Sequence, residues 1–201
     1  MARYRGPRCR RCRQVGETVC DRPEKCALVR RPYRPGQHGQ GRVRQSDYLL
    51  QLREKQKAKY IYGLLERQFR SYYAVASRKG GITGEQMLRL LELRLDNVVF
   101  RLGFAATRRQ ARQLVVHGHF HVNGRRVDRP SYQLRPEDQV ALRPNSPAES
   151  VVREASGLIA MVPSWLEADH DGVRGRVLHP PARDEIAIPV REQLIVEFYS
   201  R

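Results

Sequence analysis

Residues 94–128 read RLDNVVFRLGFAATRRQARQLVVHGHFHVNGRRVD. Asp96-Asn97 open a helix that carries Val98, Val99 and Leu102 and stops at Gly103. Thr107-Arg-Arg-Gln110 has the spacing of a capping box, in which hydroxyl and amide satisfy the first orphan N–H groups of a helix. That second helix runs to His117, with Gly118 as its stop. Ala111, Leu114 and Val115 share its inner face, which leaves Arg108, Arg109, Arg112 and Gln113 for the outer one. His119 to Val122 alternates as a strand, and Asn123-Gly124 is the signature of a type I′ hairpin turn. Arg125-Arg126-Val127-Asp128 forms the return. Two helices and a hairpin, with arginine on the second helix and after the turn, hold positive charge rigidly enough to meet a phosphate backbone. Tyr132, Leu134 and Val140-Ala141-Leu142 complete a small antiparallel sheet, so the fold class is α+β.

Outward from this core, the pattern is helical on the N-terminal side. Ser46 is an N-cap for a helix bearing Tyr48, Leu49, Leu52, Gln56 and Tyr60, with Arg53, Lys55, Lys57 and Lys59 around them. A second helix covers about 64–79 and ends at Gly80-Gly81. Thr83-Gly-Glu-Gln86 reads as a capping box for a third, to about Arg94. The aromatic residues here read as core, not as stacking platforms for bases. Residues 1–45 hold all four Cys between the basic pieces RCRRCR and RRPYRPGQHGQGRVR. They are poorly suited to a helical or sheet core and are expected to be disordered without a metal or partner. After Pro144 the pattern is uneven: a short helix near 148–160, a loop with Trp165, turns over 169–175, and strand-like runs at 186–188 and 194–198. Asp96 with Arg94 or Arg101 is expected to make no more than a helix-start charge interaction, worth at most about 1 kcal/mol.

The charge is large and uneven. The 201 residues carry 38 Lys and Arg against 21 Asp and Glu, a net charge of +17. Residues 1–60 hold seventeen cations and five anions, and residues 105–130 six and one. Residues 61–104 hold seven and four, and residues 131–201 eight and eleven. Such an excess is usually neutralised by a polyanion, and the partner is expected on the first 60 residues and on 105–130. Arginine dominates over lysine, and its planar fork suits phosphate and base stacking in folded RNA. The arm candidates are Arg3, Arg10, Arg11, Arg13, Arg30, Arg31, Arg34, His38, Arg42 and Arg44. Arg53, Lys55, Lys57 and Lys59 follow on the first long helix. Arg108, Arg109, Arg112, Gln113, His117, His119, Asn123, Arg125 and Arg126 complete the set. No apolar run approaches the roughly 20 residues needed to span a bilayer. The start, MARYRGPRCRRC, lacks the apolar stretch of a secretory signal, so a cytoplasmic address is expected and no membrane partner.

Cys9, Cys12, Cys20 and Cys26 follow C-x2-C-x7-C-x5-C. Four thiolates within one short segment suit a closed structural zinc site, with a 4Fe-4S cluster as the alternative. Disulfides are disfavoured in a reducing compartment. His117, His119 and His121 lack a neighbouring Cys or carboxylate, so they read as packing and RNA contact and not as ligands. No nucleophile elbow, P-loop, HExxH or EF-hand pattern occurs, and neither an enzymatic activity nor a small-molecule substrate is expected.

Four blocks, KCALVRRPYRPGQHGQ, SDYLLQLREKQKAKYIYGLLERQFR, residues 94–128 and the C-terminal EQLIVEFYSR, closely resemble bacterial small-subunit ribosomal protein four over nearly the whole chain. The resemblance aligns Cys26 and departs around Cys20 and over 144–183. It implies a metal-pinned basic arm over 1–45 and a helical domain over 46–93, on which 184–201 packs back. It further implies the family's RNA-binding domain over 94–155 and an irregular connection over 156–183. It implies direct binding of 16S rRNA, nucleation of the assembly of the subunit body, contact with small-subunit protein five linked to decoding accuracy, and a place near the channel through which mRNA enters. Two rivals stand beside it. An RNA-modifying enzyme carrying the same domain would need an appended catalytic domain, for which 131–201 is too short. A zinc-dependent nucleic-acid-binding regulator would need a recognition helix where Pro32, Pro35 and Gly36 forbid one.

Overall fold

The Asn123-Gly124 turn forms as its chemistry dictates: both residues take positive φ, 49° and 75°, and the strands on either side pair His121 with Arg126 and Val122 with Arg125. This geometry comes from a computed structural model that describes residues 3–41, 43–157 and 161–200. In chain order the helices before the turn are α1 (Arg8–Val15), α2 (Ala27–Arg30), α3 (Asp47–Ile61), α4 (Glu66–Ala76), α5 (Thr83–Glu92), α6 (Leu95–Arg101) and α7 (Arg108–Val116). Then come β1 (Phe120–Val122), β2 (Arg125–Arg126), β3 (Gln139–Leu142), α8 (Glu149–Ser156), β4 (Leu166–Asp169), β5 (Arg174–Val177) and α9 (Glu192–Ser200). The chain divides into two units, Met1–Met87 with Ile188–Arg201, and Leu88–Ala187.

In the unit Leu88–Ala187 the strands form one antiparallel sheet in the order β2-β1-β3-β5-β4. Its core joins Val98 and Val99 of α6, Leu102 at the end of that helix, and Ala111 and Val115 of α7 to Phe120, Val140 and Val177 of the sheet, with Trp165 buried among them. Helix α7 starts on its Thr107 cap, and Gln110 reaches back one residue beyond the cap. The Thr107 hydroxyl accepts from Gln110 N at 3.2 Å, and Gln110 Oε1 accepts from Ala106 N at 2.9 Å. The stretch 156–183, expected as an irregular connection, instead supplies β4 and β5, which extend the sheet beside β3. Leu166, Gly175 and Val177 point inward while Glu167, Asp169, Arg174 and Arg176 are exposed. Four-residue strands whose open face is fully charged leave too short an alternation to be read from sequence.

The unit formed by Met1–Met87 and Ile188–Arg201 is helical. Ser46 caps α3 as expected, its hydroxyl accepting from Leu49 N at 3.3 Å. Thr83 does not cap α5: it lies inside the first turn, and Ile82 O accepts from Gln86 N at 3.1 Å. The strand-like run 194–198 is part of α9, which packs on α3. Tertiary packing outweighs the β-branched propensity: Phe198 meets Tyr48 at 5.7 Å between ring centroids and Tyr199 meets Tyr73 at 4.7 Å, with Ile195 fully buried.

Lys55, Lys57 and Lys59 are largely buried and paired within the fold. Lys55 and Lys59, four apart on α3, both reach Glu66 at 2.8 Å, and Lys57 on another face meets Glu54 at 2.7 Å and Glu17 at 2.9 Å. Tyr199 Oη also donates to Glu66 at 2.8 Å. Burial alone pushes the Glu66 carboxyl up, but the hydrogen bonds from Lys55, Lys59 and Tyr199 outweigh it and bring its pKa down to about 2. Because the folded value lies below the unfolded one, near 4.5, the stabilisation is complete above about pH 4.5 and is lost as pH falls towards 2. Acid titration of the NMR signals of Tyr73, Phe198 and Tyr199 should show α9 loosening across that window, and Glu66→Gln should abolish this pH dependence. An unchanged acid profile in the variant would refute the role given to Glu66.

Candidate nucleic-acid interface

Helix α7 presents fewer arginines than its sequence offers. Arg112 is not on the outer face: it is 6% exposed, and its Nη1 lies 3.2 Å from Asp96 Oδ2. Arg94 forks onto the same carboxylate, Nε to Oδ1 at 3.0 Å and Nη2 to Oδ2 at 2.7 Å. Asp96 is therefore a buried hub between two guanidiniums, far more than a helix-start interaction. Next to it, Glu92 accepts from Asn97 and from Arg101, and Asn97 Oδ1 accepts from Arg108 Nε at 2.9 Å. The Arg108 guanidinium also lies 4.3 Å from the Phe100 ring centroid. Arg108 is half-buried and held in one pose, whereas Arg109 and Gln113 are exposed. The physical reason is helical phase: 108 and 112 lie one turn apart on the side facing α6, and 109 and 113 lie one turn apart on the side facing solvent.

The hairpin adds two exposed cations, Arg125 and Arg126. Arg126 lies across Gly118, whose φ of 72° and missing side chain leave room for the guanidinium. Asn123 is exposed, but its side chain works for the fold. Nδ2 donates to Asp138 at 2.8 Å and Oδ1 accepts from Gln139 N at 2.9 Å, which pins the turn to the start of β3. His117 is exposed, and His119 Nδ1 sits 2.9 Å from Ser146 Oγ. Burial, then the neighbouring Arg143 and His117, lower the His119 pKa and favour the neutral ring.

The N-terminal arm carries regular structure. Arg8–Val15 form α1, so Cys9 and Cys12 stand on a helix. Arg11 is sandwiched between the rings of Tyr4 and Tyr60, at 3.8 and 4.5 Å from their centroids. Arg13 donates to the Tyr33 and Arg34 carbonyls at 2.9 and 3.3 Å. Both arginines therefore hold the arm together. Arg10, Arg30, Arg31, His38 and Arg44 are exposed, and Arg3, Arg34 and Arg53 are half-exposed. Arg42 lies outside the described residues. Exposed Arg67 and Arg70 on α4, with Arg78 and Lys79 beyond it, were absent from the sequence-derived set. Helical phase could have found the first two, which lie opposite the apolar Leu65, Phe69 and Tyr72.

The sulfurs of Cys12, Cys20 and Cys26 lie within 4.8 Å of one another, and Cys12 and Cys26 are buried. Four thiolates around one zinc stand about 3.8 Å apart, so a single ion fits, whereas a cubane cluster needs its thiolates held farther apart. Burial raises the Cys12 and Cys26 thiols, Cys26 to about 12, so their ionisation calls for a compensating cation. Cys20 is in the group, while the Cys9 sulfur stands outside it, one turn before Cys12 on α1. No helix among the described residues is long and apolar enough to cross a membrane.

A helix and hairpin that carry exposed arginine on a small sheet, in a chain that also holds a cysteine-bearing basic arm, define a nucleic-acid-binding protein. Residues 3–92 match the ribosomal protein S4/S9 N-terminal domain, and residues 93–140 match the S4 domain. The small ribosomal subunit protein uS4 of Rubrobacter xylanophilus is 55% identical over 201 residues, covering all of both chains. Those of Thermus thermophilus and Pelotomaculum thermopropionicum are 54% and 56% identical over 212 and 209 residues, again covering all of each chain. The chain belongs to the ribosomal protein S4 family, which is structural and not enzymatic.

Proposed function

We propose that the protein is a cytoplasmic structural component of the small ribosomal subunit that binds 16S rRNA directly and nucleates assembly of the subunit body. The observation that carries this reading is the exposed set Arg109, Arg125 and Arg126, mounted on a helix and a hairpin whose own hydrogen bonds and ion pairs fix them in place. Gln113, His117, His119 and the half-buried Arg108 flank that set. The second contact region is the arm, through Arg3, Arg10, Arg30, Arg31, Arg34, His38 and Arg44, with Arg53 beside it. Mechanistically, pre-positioned guanidiniums neutralise phosphates that a folded RNA brings close together, and the shape of the junction is read more than its sequence. The contact with small-subunit protein five, its effect on accuracy and the position near incoming mRNA are proposed as part of the same reading.

In a competition assay, unlabelled small-subunit RNA should displace a bound small-subunit RNA probe far better than duplex DNA of equal charge. Equal competition would favour the zinc-dependent regulator and overturn the proposal.

Zinc is proposed as the structural ion of the arm, held by Cys12, Cys20 and Cys26 with Cys9 as fourth ligand, where it would replace a core the arm is too small to build. Chelation, or Cys26→Ser, should loosen α1 and the following loops in hydrogen exchange while Trp165 fluorescence stays unchanged. Metal analysis should return one zinc per chain and no iron or sulfide; an iron signal would sink the assignment.

A further inference from the structure

Helix α1 and the loop after α2 flank an open cleft of about 630 Å³, lined by Arg10, Gln14, Arg34, Gln37, His38 and neighbouring glycines. No carboxylate is among its lining residues. The loop is built and not merely exposed. Gly39 N donates to Gly36 O and Gly41 N to His38 O, both at 3.1 Å. A Cβ at Gly39 would collide with the Arg34 carbonyl, so only glycine allows the chain to close this tightly. Arg13 gives its guanidinium to the Tyr33 and Arg34 carbonyls and covers the Tyr33 ring. It thereby anchors the loop, while Arg10 and His38 stay exposed.

The chemistry of this wall differs from that of α7 and the hairpin. There, arginines stand on convex elements and meet phosphates. Here a concave space large enough for a small molecule combines two guanidiniums with amide and imidazole groups able to donate and accept. A duplex backbone cannot fill such a space, but a base that has left its stack can. We propose that this cavity takes one unstacked nucleotide of the bound RNA. Arg10 and Arg34 supply charge for its phosphate, and Gln14, Gln37 and His38 supply partners for its base. The inference rests on the RNA-binding reading above.

The test uses the full chain bound to small-subunit RNA, with base-modifying reagents read at single-nucleotide resolution. At saturating protein, Arg10→Ala with His38→Ala should expose one nucleotide that the unaltered chain protects, and leave the rest of the footprint intact. Affinity should fall about tenfold or more, with a salt slope changed by roughly one unit, as for one lost phosphate contact. Both side chains are exposed, so the fold is retained, and Trp165 fluorescence and helicity check this. An unchanged footprint with RNA still bound overturns the cavity proposal alone, as does a loss spread evenly along a duplex. Saturable binding of nucleoside monophosphates to the RNA-free chain, with the footprint unaltered, would assign the cavity to a free nucleotide and also overturn it. If the unaltered chain leaves no footprint on small-subunit RNA at all, the RNA-binding reading itself fails.

Discussion

Replacing Arg109, Arg125 and Arg126 together by glutamate is expected to weaken binding to small-subunit RNA by roughly three orders of magnitude at physiological salt. Each lost phosphate contact removes about 0.7 to 0.9 from the slope of log affinity against log salt, so the triple change should flatten it by roughly two to three units. All three side chains are exposed and none carries a hydrogen bond on which the sheet depends, so thermal stability should stay close to that of the unaltered chain. Filter binding across a salt series measures both quantities. A parallel curve, weaker but equally steep, would show that these arginines do not meet phosphate. Arg112→Glu alone would not test the same question, because it would place a carboxylate against Asp96 in the interior.

The second large effect concerns that interior. Asp96→Asn should destabilise the unit Leu88–Ala187 by about 3–5 kcal/mol, because two buried guanidiniums lose their shared counter-charge. Arg94, Asp96 and Arg112 are only 2%, 5% and 6% exposed, so water cannot replace the missing carboxylate. For a unit of this size the melting temperature should fall by about 15 °C or more. Trp165, the one tryptophan of the chain and 1% exposed in this core, reports the transition by fluorescence. A shift of only a few degrees would mean that the hub contributes little and that α6 and α7 are held by apolar packing alone.

These two variants mark where sequence reading succeeds and where it stops. Asn123-Gly124 and the Thr107–Gln110 box were legible because their chemistry is local: each satisfies backbone groups within four residues. The strands Leu166–Asp169 and Arg174–Val177 were not legible, because they pair with a sheet begun some thirty or more residues earlier and carry charge on their open face. Lys55, Lys57 and Lys59 looked like a basic helix face. Within the fold they pair with Glu66, Glu17 and Glu54, and the Glu66 group is closed by Tyr199 from the far end of the chain. The cysteines divide in the same way. Spacing nominated four ligands, but the fold brings together Cys12, Cys20 and Cys26 and leaves Cys9 a turn away.

From the linear chain alone came the excess of arginine, the turn and cap chemistry of residues 94–128 and the kinship with ribosomal protein four. Those properties depend on composition and on neighbours a few bonds distant. Which cations stay exposed and which are paired inside the fold was settled only in three dimensions. A guanidinium or ammonium is spent wherever a distant carboxylate or ring reaches it out of water, and desolvation makes that pairing obligatory once the group is buried.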